Sequence, residues 1–266
     1  MVTLYAKQQK SNKITQKRQK NMKKIRADLL LCERGHFETP DEAARFIMAG
    51  KVRLNADMLL RKPSEMLDPE TPLLVDSALE YVSRGAFKLV EALEQFLPDL
   101  TGKTALDIGA STGGFTDVML RHGAGKVYAT DVGKGLLHGK LRNDPRVAVR
   151  EGINIKNLTE DEVPDPVDVV TADVSFISVT KALEPADKLM APGAHAFILV
   201  KPQFEAPKRD VPPGGVVTDE NVRQAAIEKV VTFATETLHW ENLAVLPSPI
   251  KGPKGNQEYV AVFRKA

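Results

Sequence analysis

Thr104-Ala105-Leu106-Asp107-Ile108-Gly109-Ala110-Ser111-Thr112-Gly113-Gly114-Phe115-Thr116-Asp117 decides the fold. An apolar run carrying one acid ends at Ile108, a turn of small residues follows, and Phe115, Val118 and Met119 then open a helical pattern. Strand, glycine turn and helix in that order begin a nucleotide-type α/β domain. The helix N-terminus leaves free N–H groups facing the crevice beyond the strand. The spacing is Gly-x-x-x-Gly-Gly, not the dinucleotide fingerprint, and an acid stands before the first glycine.

Downstream the alternation continues. Lys126–Asp131 reads as a second strand, again ending in an acid, where such folds hold a ribose diol. Val147–Val149, Val167–Asp173 and Ala194–Val200 read as the third, fourth and fifth strands. Asn221–Leu238 reads as a long helix, and Leu243–Val245 and Glu258–Phe263 as two closing strands. The expected fold is therefore a Rossmann-like, doubly wound α/β sheet, preceded by a small α+β module. An acid beside a glycine turn suits a ligand with an amino-acid end, whose ammonium needs a carboxylate, and S-adenosylmethionine is such a ligand. Asp107, Gly109, Ser111, Gly113, Gly114 and Phe115 are its expected contacts at the turn, Asp131 and Val132 at the ribose, and Asn154 near the adenine.

At 266 residues, 42% apolar and 27% charged, the chain has the composition of a globular protein of one or two domains. Its longest charge-free run, Leu189–Val200, is too short to span a bilayer. Cys32 is the single cysteine, so an intrachain disulfide is impossible, which fits a reducing cytoplasm. No metal site is expected, and the oligomeric state is left open.

The net charge of +2 hides an asymmetry: nine basic residues, Lys7 to Arg26, precede the first acid, Asp28. Residues 1–24 read as a basic, disordered arm able to meet phosphates. Met22-Lys23-Lys24 would also make a natural start of the chain. Residues 25–77 read as a separate module and 78–82 as a linker, leaving 83–266 for the glycine-turn domain. In the module, Ile25, Ala27, Leu30 and Leu31 form a helical stripe ending at Gly35. Thr39, Pro40 and Glu42 form a capping box for a second helix that Gly50 ends, and a strand Lys51–Asn55 runs into a turn at Asn55-Ala56-Asp57. This order resembles the αL RNA-binding module of a small-subunit ribosomal protein and of the tyrosyl-tRNA synthetase tail. Lys24, Arg26, Arg34, Arg45, Lys51 and Arg53 would then face RNA phosphates, joined by Arg84 in the larger domain.

Charged residues fall where the strands end. Asp173 and Lys201 follow apolar runs, Glu258 begins the last strand, and Lys88 sits among the apolar positions of an amphipathic helix. A lysine there ordinarily snorkels to water. Four such residues set against apolar neighbours favour a shared site at the carboxyl edge of the sheet.

Ser83-Arg84-Gly85…Lys88-Leu89, the glycine turn, Ala172-Asp173-Val174-Ser175-Phe176, Lys201-Pro202-Gln203-Phe204-Glu205, Gly214-Gly215-Val216-Val217 and Lys254-Gly255-Asn256-Gln257-Glu258-Tyr259 together resemble the hemolysin A-type (TlyA) family. That family joins an αL module to an FtsJ-like ribose 2′-O-methyltransferase. The resemblance runs from about Met22 to the end, with Ala86 where a second glycine is expected. It implies a Lys-Asp-Lys-Glu catalytic tetrad at Lys88, Asp173, Lys201 and Glu258, S-adenosylmethionine as methyl donor, and ribosomal RNA or a ribosomal subunit as partner. Methylation at cytosine C5 needs a cysteine nucleophile, and Cys32 lies outside this domain. Two other readings stay open: an RNA-binding assembly factor with little catalysis, and a membrane-damaging hemolysin. The Glu205–Val217 loop, rich in proline and glycine, is expected to be a mobile cover over the site.

Overall fold

The computed structural model describes residues 23–37, 39–54, 58–75 and 81–266. Most of the expected basic arm, the Asn55-Ala56-Asp57 turn and residues 78–80 of the expected linker lie outside the described residues. The chain divides into two compact units between residues 80 and 81.

In the smaller unit, strand β1 (Ile25–Arg26) leads into helix α1 (Ala27–Glu33), helix α2 (Pro40–Met48) and three further short strands, β2 (Val52–Arg53), β3 (Met66–Leu67) and β4 (Leu74–Val75). β1 pairs antiparallel with β3, and β2 with β4. Ile25, expected in the first helical stripe, is in β1 instead because it pairs with Leu67, a contact made across the sequence. The Thr39 hydroxyl accepts the Glu42 N–H at 3.3 Å and Pro40 takes the first helical position, as expected of that cap. Leu30, Leu31, Ala43, Phe46, Ile47, Val52 and Leu60 close a core of their own. Each of the larger side chains contributes about 1.5–3 kcal/mol on full burial.

The larger unit is built on a seven-stranded sheet ordered β10-β11-β9-β8-β5-β6-β7. Its strands are β5 (Thr104–Ile108), β6 (Lys126–Asp131), β7 (Val147–Glu151), β8 (Val167–Ala172), β9 (Met190–Val200), β10 (Glu241–Pro247) and β11 (Tyr259–Arg264). β5 to β9 are parallel, and β10 and β11 are antiparallel additions at one edge. Helices α3 (Phe87–Phe96) and α4 (Gly114–Arg121) contribute to the core on one face. A short helix α5 (Gly139–Arg142) follows β6. On the other face lie α6 (Thr180–Leu189) and α8 (Glu220–Thr232), the latter continued by one π-helical turn to Thr237. A single turn of helix, α7 (Pro202–Glu205), follows β9. Because helices cover both faces, the central strands are continuous apolar runs.

Tyr81 and Val82, read from the sequence as the end of a linker, belong to this unit. The Tyr81 ring meets Phe87 edge-on at 5.6 Å and lies under the Arg121 guanidinium at 4.6 Å. The Val82 N–H donates to buried Asp117 at 2.9 Å.

Two glycines of the turn are demanded by space. A Cβ on Gly109, which has φ +81°, would lie 2.5 Å from the Asp173 carbonyl oxygen. One on Gly114 would lie 2.5 Å from Ser83 Oγ and 2.9 Å from Ala86 N. The first lets β5 and β8 end side by side; the second lets the 83–86 turn lie on the start of α4.

Candidate active site

The sheet register brings the four charged residues together. Tyr259 pairs with Val200, so Glu258 and Lys201, one step further along each strand, meet at the same edge. Ala172 pairs with Ile108 on one side and with Ile198 on the other, so Asp173 leaves the sheet between Gly109 and the end of β9. Lys88 arrives from the first turn of α3.

Lys88 is buried, contrary to the snorkelling that its helix pattern alone suggests. Its Nζ lies 2.6 Å from Glu258 Oε2 and 3.7 Å from Asp173 Oδ2. Lys201 Nζ forms an ion pair with Asp173 Oδ1 at 2.5 Å and donates to Ser175 Oγ at 2.8 Å. Gln203 Nε2 donates to the other Glu258 oxygen at 3.3 Å. Two buried ammonium groups are thus balanced by two carboxylates, one of them 1% exposed. An unpaired charge at this depth would cost several kcal/mol. The lysines are not equivalent: Lys88 faces two carboxylates, Lys201 one carboxylate and one hydroxyl.

Two cavities open beside this cluster. The larger, about 430 Å³, is lined by Ile108, Asp131, Val132, Leu136, Ile153, Asn154 and the Asp173–Ile177 turn. The smaller, about 160 Å³, is bounded by Ser83, Gly85, Asp107, Thr112 and Phe115. Gly109, Ser111 and Asp173 line both. Gly113 and Gly114, expected at the ligand, line neither; Gly113 faces Leu137 and Leu141, and Gly114 faces the 83–86 turn. A bigger open groove of about 580 Å³ along α6 shares no residue with the four-residue cluster.

Asp107 is fully buried at the floor of the smaller cavity. Its carboxylate accepts the Thr116 hydroxyl at 2.6 Å and the Thr171 hydroxyl at 2.9 Å. Burial pushes its carboxyl up to about 6, against the two threonine hydrogen bonds, and nearby Asp173 adds to the rise. Asp131 accepts the N–H groups of Ser111 at 2.9 Å and Gly133 at 2.7 Å, so it shapes the cavity rim with both oxygens. Glu151 accepts the N–H groups of Gly135, Leu136 and Leu137 and pairs with Arg142 at 2.7 Å. The Arg142 bond and these amides hold its carboxyl down at about 2, and the latch fixes the 133–138 turn that carries Leu136 into the larger cavity.

The FtsJ-like methyltransferase family pattern matches residues 81–265. This chain belongs to that family. It is 45% identical over 244 residues to the 16S/23S rRNA (cytidine-2′-O)-methyltransferase TlyA of Mycobacterium tuberculosis, covering 91% of this chain and 90% of that one. It is 39% identical over 243 residues to Hemolysin A of Brachyspira hyodysenteriae, covering 90% of this chain and 99% of the relative. A solved Streptococcus thermophilus structure carrying a hemolysin name superposes with a TM-score of 0.71 at 39% identity, covering 92% of this chain and 90% of that one.

Strand register thus brings Lys88, Asp173, Lys201 and Glu258, the four charged residues expected to share a site, into one cluster. Sequence reasoning missed Ser83 and Gly85 at the smaller cavity, Leu136 at the larger, and the role of Glu205. The motif Lys201–Glu205 contained Glu205, but its partners lie on other elements. Oε1 accepts the Val179 N–H at 2.6 Å, and Oε2 accepts Ser178 Oγ–H at 2.5 Å and Lys229 Nζ–H at 2.9 Å.

The expected cover loop is pinned at its far end. Asn256, 3% exposed, accepts the Val217 N–H at 2.9 Å and donates to the Gly215 carbonyl at 2.8 Å. In the smaller unit, Lys24, Arg26 and Arg34 are exposed, while Arg45, Lys51 and Arg53 are half-buried. Arg26 is engaged with buried Asp28 through two hydrogen bonds, at 2.6 and 3.1 Å, and Arg34 donates to the Pro69 carbonyl. Arg84 is exposed on the larger unit. Among the described residues, no helix is long and apolar enough to cross a membrane, and no group of three His, Cys, Asp or Glu side chains is placed to hold a metal.

Proposed function

We propose that this protein transfers a methyl group from S-adenosylmethionine to a ribose 2′-hydroxyl of ribosomal RNA in the cytoplasm. The observation that carries the reading is the Glu258–Lys88–Asp173–Lys201 chain of charges, whose member Asp173 lines both cavities. The M. tuberculosis relative is named for 2′-O-methylation of cytidine in both ribosomal RNAs, which supports cytidine as the target.

The cavities fit the donor. The larger has apolar walls at Ile108, Leu136 and Ile153 and a carboxylate rim at Asp131, suited to an adenosine. The smaller ends on Asp107, suited to an ammonium, and Gly109, Ser111 and Asp173 line both. Bound there, S-adenosylmethionine supplies an activated methyl group with a neutral thioether leaving group.

The chain's own residues do the rest. A ribose hydroxyl is a poor nucleophile until its proton is withdrawn. Lys201 accepts that proton at Nζ, which Asp173 and Ser175 hold in place. Lys88, held by Glu258 and Asp173, orients the hydroxyl oxygen. Asp173 and Glu258 fix both amines and balance their charge. In-line placement of hydroxyl and methyl supplies much of the remaining rate. The smaller unit, through Lys24, Arg45, Lys51 and Arg53, and Arg84 on the larger one, would grip RNA phosphates.

The test is incubation of the pure protein with radiolabelled S-adenosylmethionine and ribosomal subunits from a strain lacking its gene, followed by mapping of the label. Label on a ribose 2′-oxygen supports the reading; label on a base, or none, sinks it. The hemolysin name of one relative is addressed with the same preparation, by leakage from liposomes, which this reading expects to be absent.

A further inference from the structure

Ser175 follows the Asp173 strand end and lines the larger cavity together with Val174 and Phe176. Its hydroxyl is therefore at the site rather than behind it. Lys201 Nζ makes two polar contacts, to Asp173 Oδ1 at 2.5 Å and to Ser175 Oγ at 2.8 Å. The Phe204 ring, its centroid 5.8 Å from Nζ, closes another side.

The number of acceptors matters. A lysine ammonium has three N–H donors. Once deprotonated it has two, plus one lone pair. Two acceptors fix both remaining hydrogens of a neutral amine, and that fixes where the lone pair points. Lys88 is held differently, by two carboxylates. The backbone gives further support. Phe176 has φ +68°, a left-handed conformation that costs a bulky residue roughly 1–3 kcal/mol, and it turns the chain immediately after Ser175. Phe176, 88% exposed, meets the Phe204 ring at 5.3 Å between centroids.

We propose that Ser175 is a positioning residue for the catalytic base: its Oγ holds one N–H of the neutral Lys201 amine while Asp173 holds the other, so that the Nζ lone pair faces the ribose 2′-hydroxyl. The hydroxyl proton then passes to Nζ. The 2′-oxygen electron pair forms the new O–C bond as the C–S pair of the sulfonium donor leaves on sulfur. The inference rests on the methyltransferase reading above. The charged groups around Lys201 are Asp173 at the end of β8, Lys88 on α3 and Glu258 before β11, and a change at Ser175 alters none of them.

The experiment compares wild-type, Ser175→Ala and Ser175→Thr full-length proteins in two arms. In single-turnover methyl transfer to ribosomal subunits across a pH series, Ser175→Ala should lower the plateau about tenfold, the worth of one hydrogen bond in the transition state. The midpoint of its acid limb should move to lower pH, because a hydroxyl acceptor favours the ammonium over the amine. Dissociation constants for S-adenosylmethionine and RNA should stay within about twofold, and Ser175→Thr, which keeps the hydroxyl, should restore plateau and midpoint. The second arm needs no methyl transfer. Acetic anhydride modifies neutral amines, and mass spectrometry of the peptide carrying Lys201 follows its modification with pH. Ser175→Ala should begin to react at lower pH than wild type, and Ser175→Thr should match wild type. If wild-type protein transfers no methyl yet the modification profile shifts, the function reading falls and the positioning role stands. An unchanged Lys201 modification profile in Ser175→Ala, or a Ser175→Thr protein that behaves like alanine, overturns the proposal.

Discussion

Glu205 Oε1 accepts the Val179 backbone N–H at 2.6 Å, tying the turn after β9 to the turn after β8. Lys201 and Asp173 leave the sheet at the starts of those two turns, which this bond braces against each other. Replacing Glu205 with alanine leaves a buried N–H without its acceptor, a cost of about 1–3 kcal/mol. The loss of Lys229 adds little, because that side chain is 46% exposed. Calorimetric unfolding of Glu205→Ala should therefore show a melting temperature roughly 2–12 °C below wild type, at about 2–4 °C per kcal/mol for a unit this size. Glu205→Gln, which keeps one acceptor, should lose less. An alanine variant that melts with wild type would remove Glu205 from the account.

Asp107 predicts a pH dependence of cofactor binding. Its carboxyl titrates near 6 in the folded protein against 3.8 for an ordinary aspartate, chiefly through burial. The folded state thus holds more protons than the unfolded one between those values, and charging Asp107 costs stability as pH rises through about 6. A cationic ligand needs the charged form. Titration calorimetry with S-adenosylmethionine should show affinity falling as pH drops from 7 to 5. Asp107→Asn should bind weakly at every pH and lose the dependence, while being no less stable than wild type at pH 8. Tight, pH-independent binding by Asp107→Asn would refute a carboxylate–ammonium contact.

The smaller unit has its own core, and so does the larger. Deleting residues 1–80 should leave cofactor affinity within a few-fold of wild type and weaken binding to ribosomal RNA. Full-length binding should fall steeply with salt, as phosphate contacts release counterions, and the truncated protein should show a shallower slope. Equal slopes would mean that Lys24, Arg45, Lys51 and Arg53 do not touch phosphates.

The five parallel strands were legible because each is an apolar run between turn residues, and the acids at their ends marked the working edge. Local pattern could not decide Lys88. On its own helix it resembles any lysine at a boundary, and only the arrival of Glu258 beside it makes burial affordable. Ile25 was misplaced for a related reason: its partner, Leu67, is distant in sequence. A glycine-rich motif suggests ligand contacts at Gly113 and Gly114, whereas their neighbours show packing against Leu141 and the 83–86 turn. Ser175 and Glu205 were visible as letters in the motifs, but their roles depend on Lys201 and Val179, brought to them by strand order.

Replacing Lys201 tests the central claim most directly. Single-turnover transfer to ribosomal RNA should be compared for wild type, Lys201→Ala and Lys201→Arg at saturating S-adenosylmethionine, with alkali-resistant linkages scored as ribose methylation. If Lys201 takes the proton, both variants should lose at least about a thousandfold in rate while binding cofactor and RNA nearly as wild type, the mark of an interaction made mainly in the transition state. Arginine fails in this account because its guanidinium stays protonated. A Lys201→Arg enzyme that methylates ribose at the wild-type rate would contradict the account and pass the role of base to Lys88.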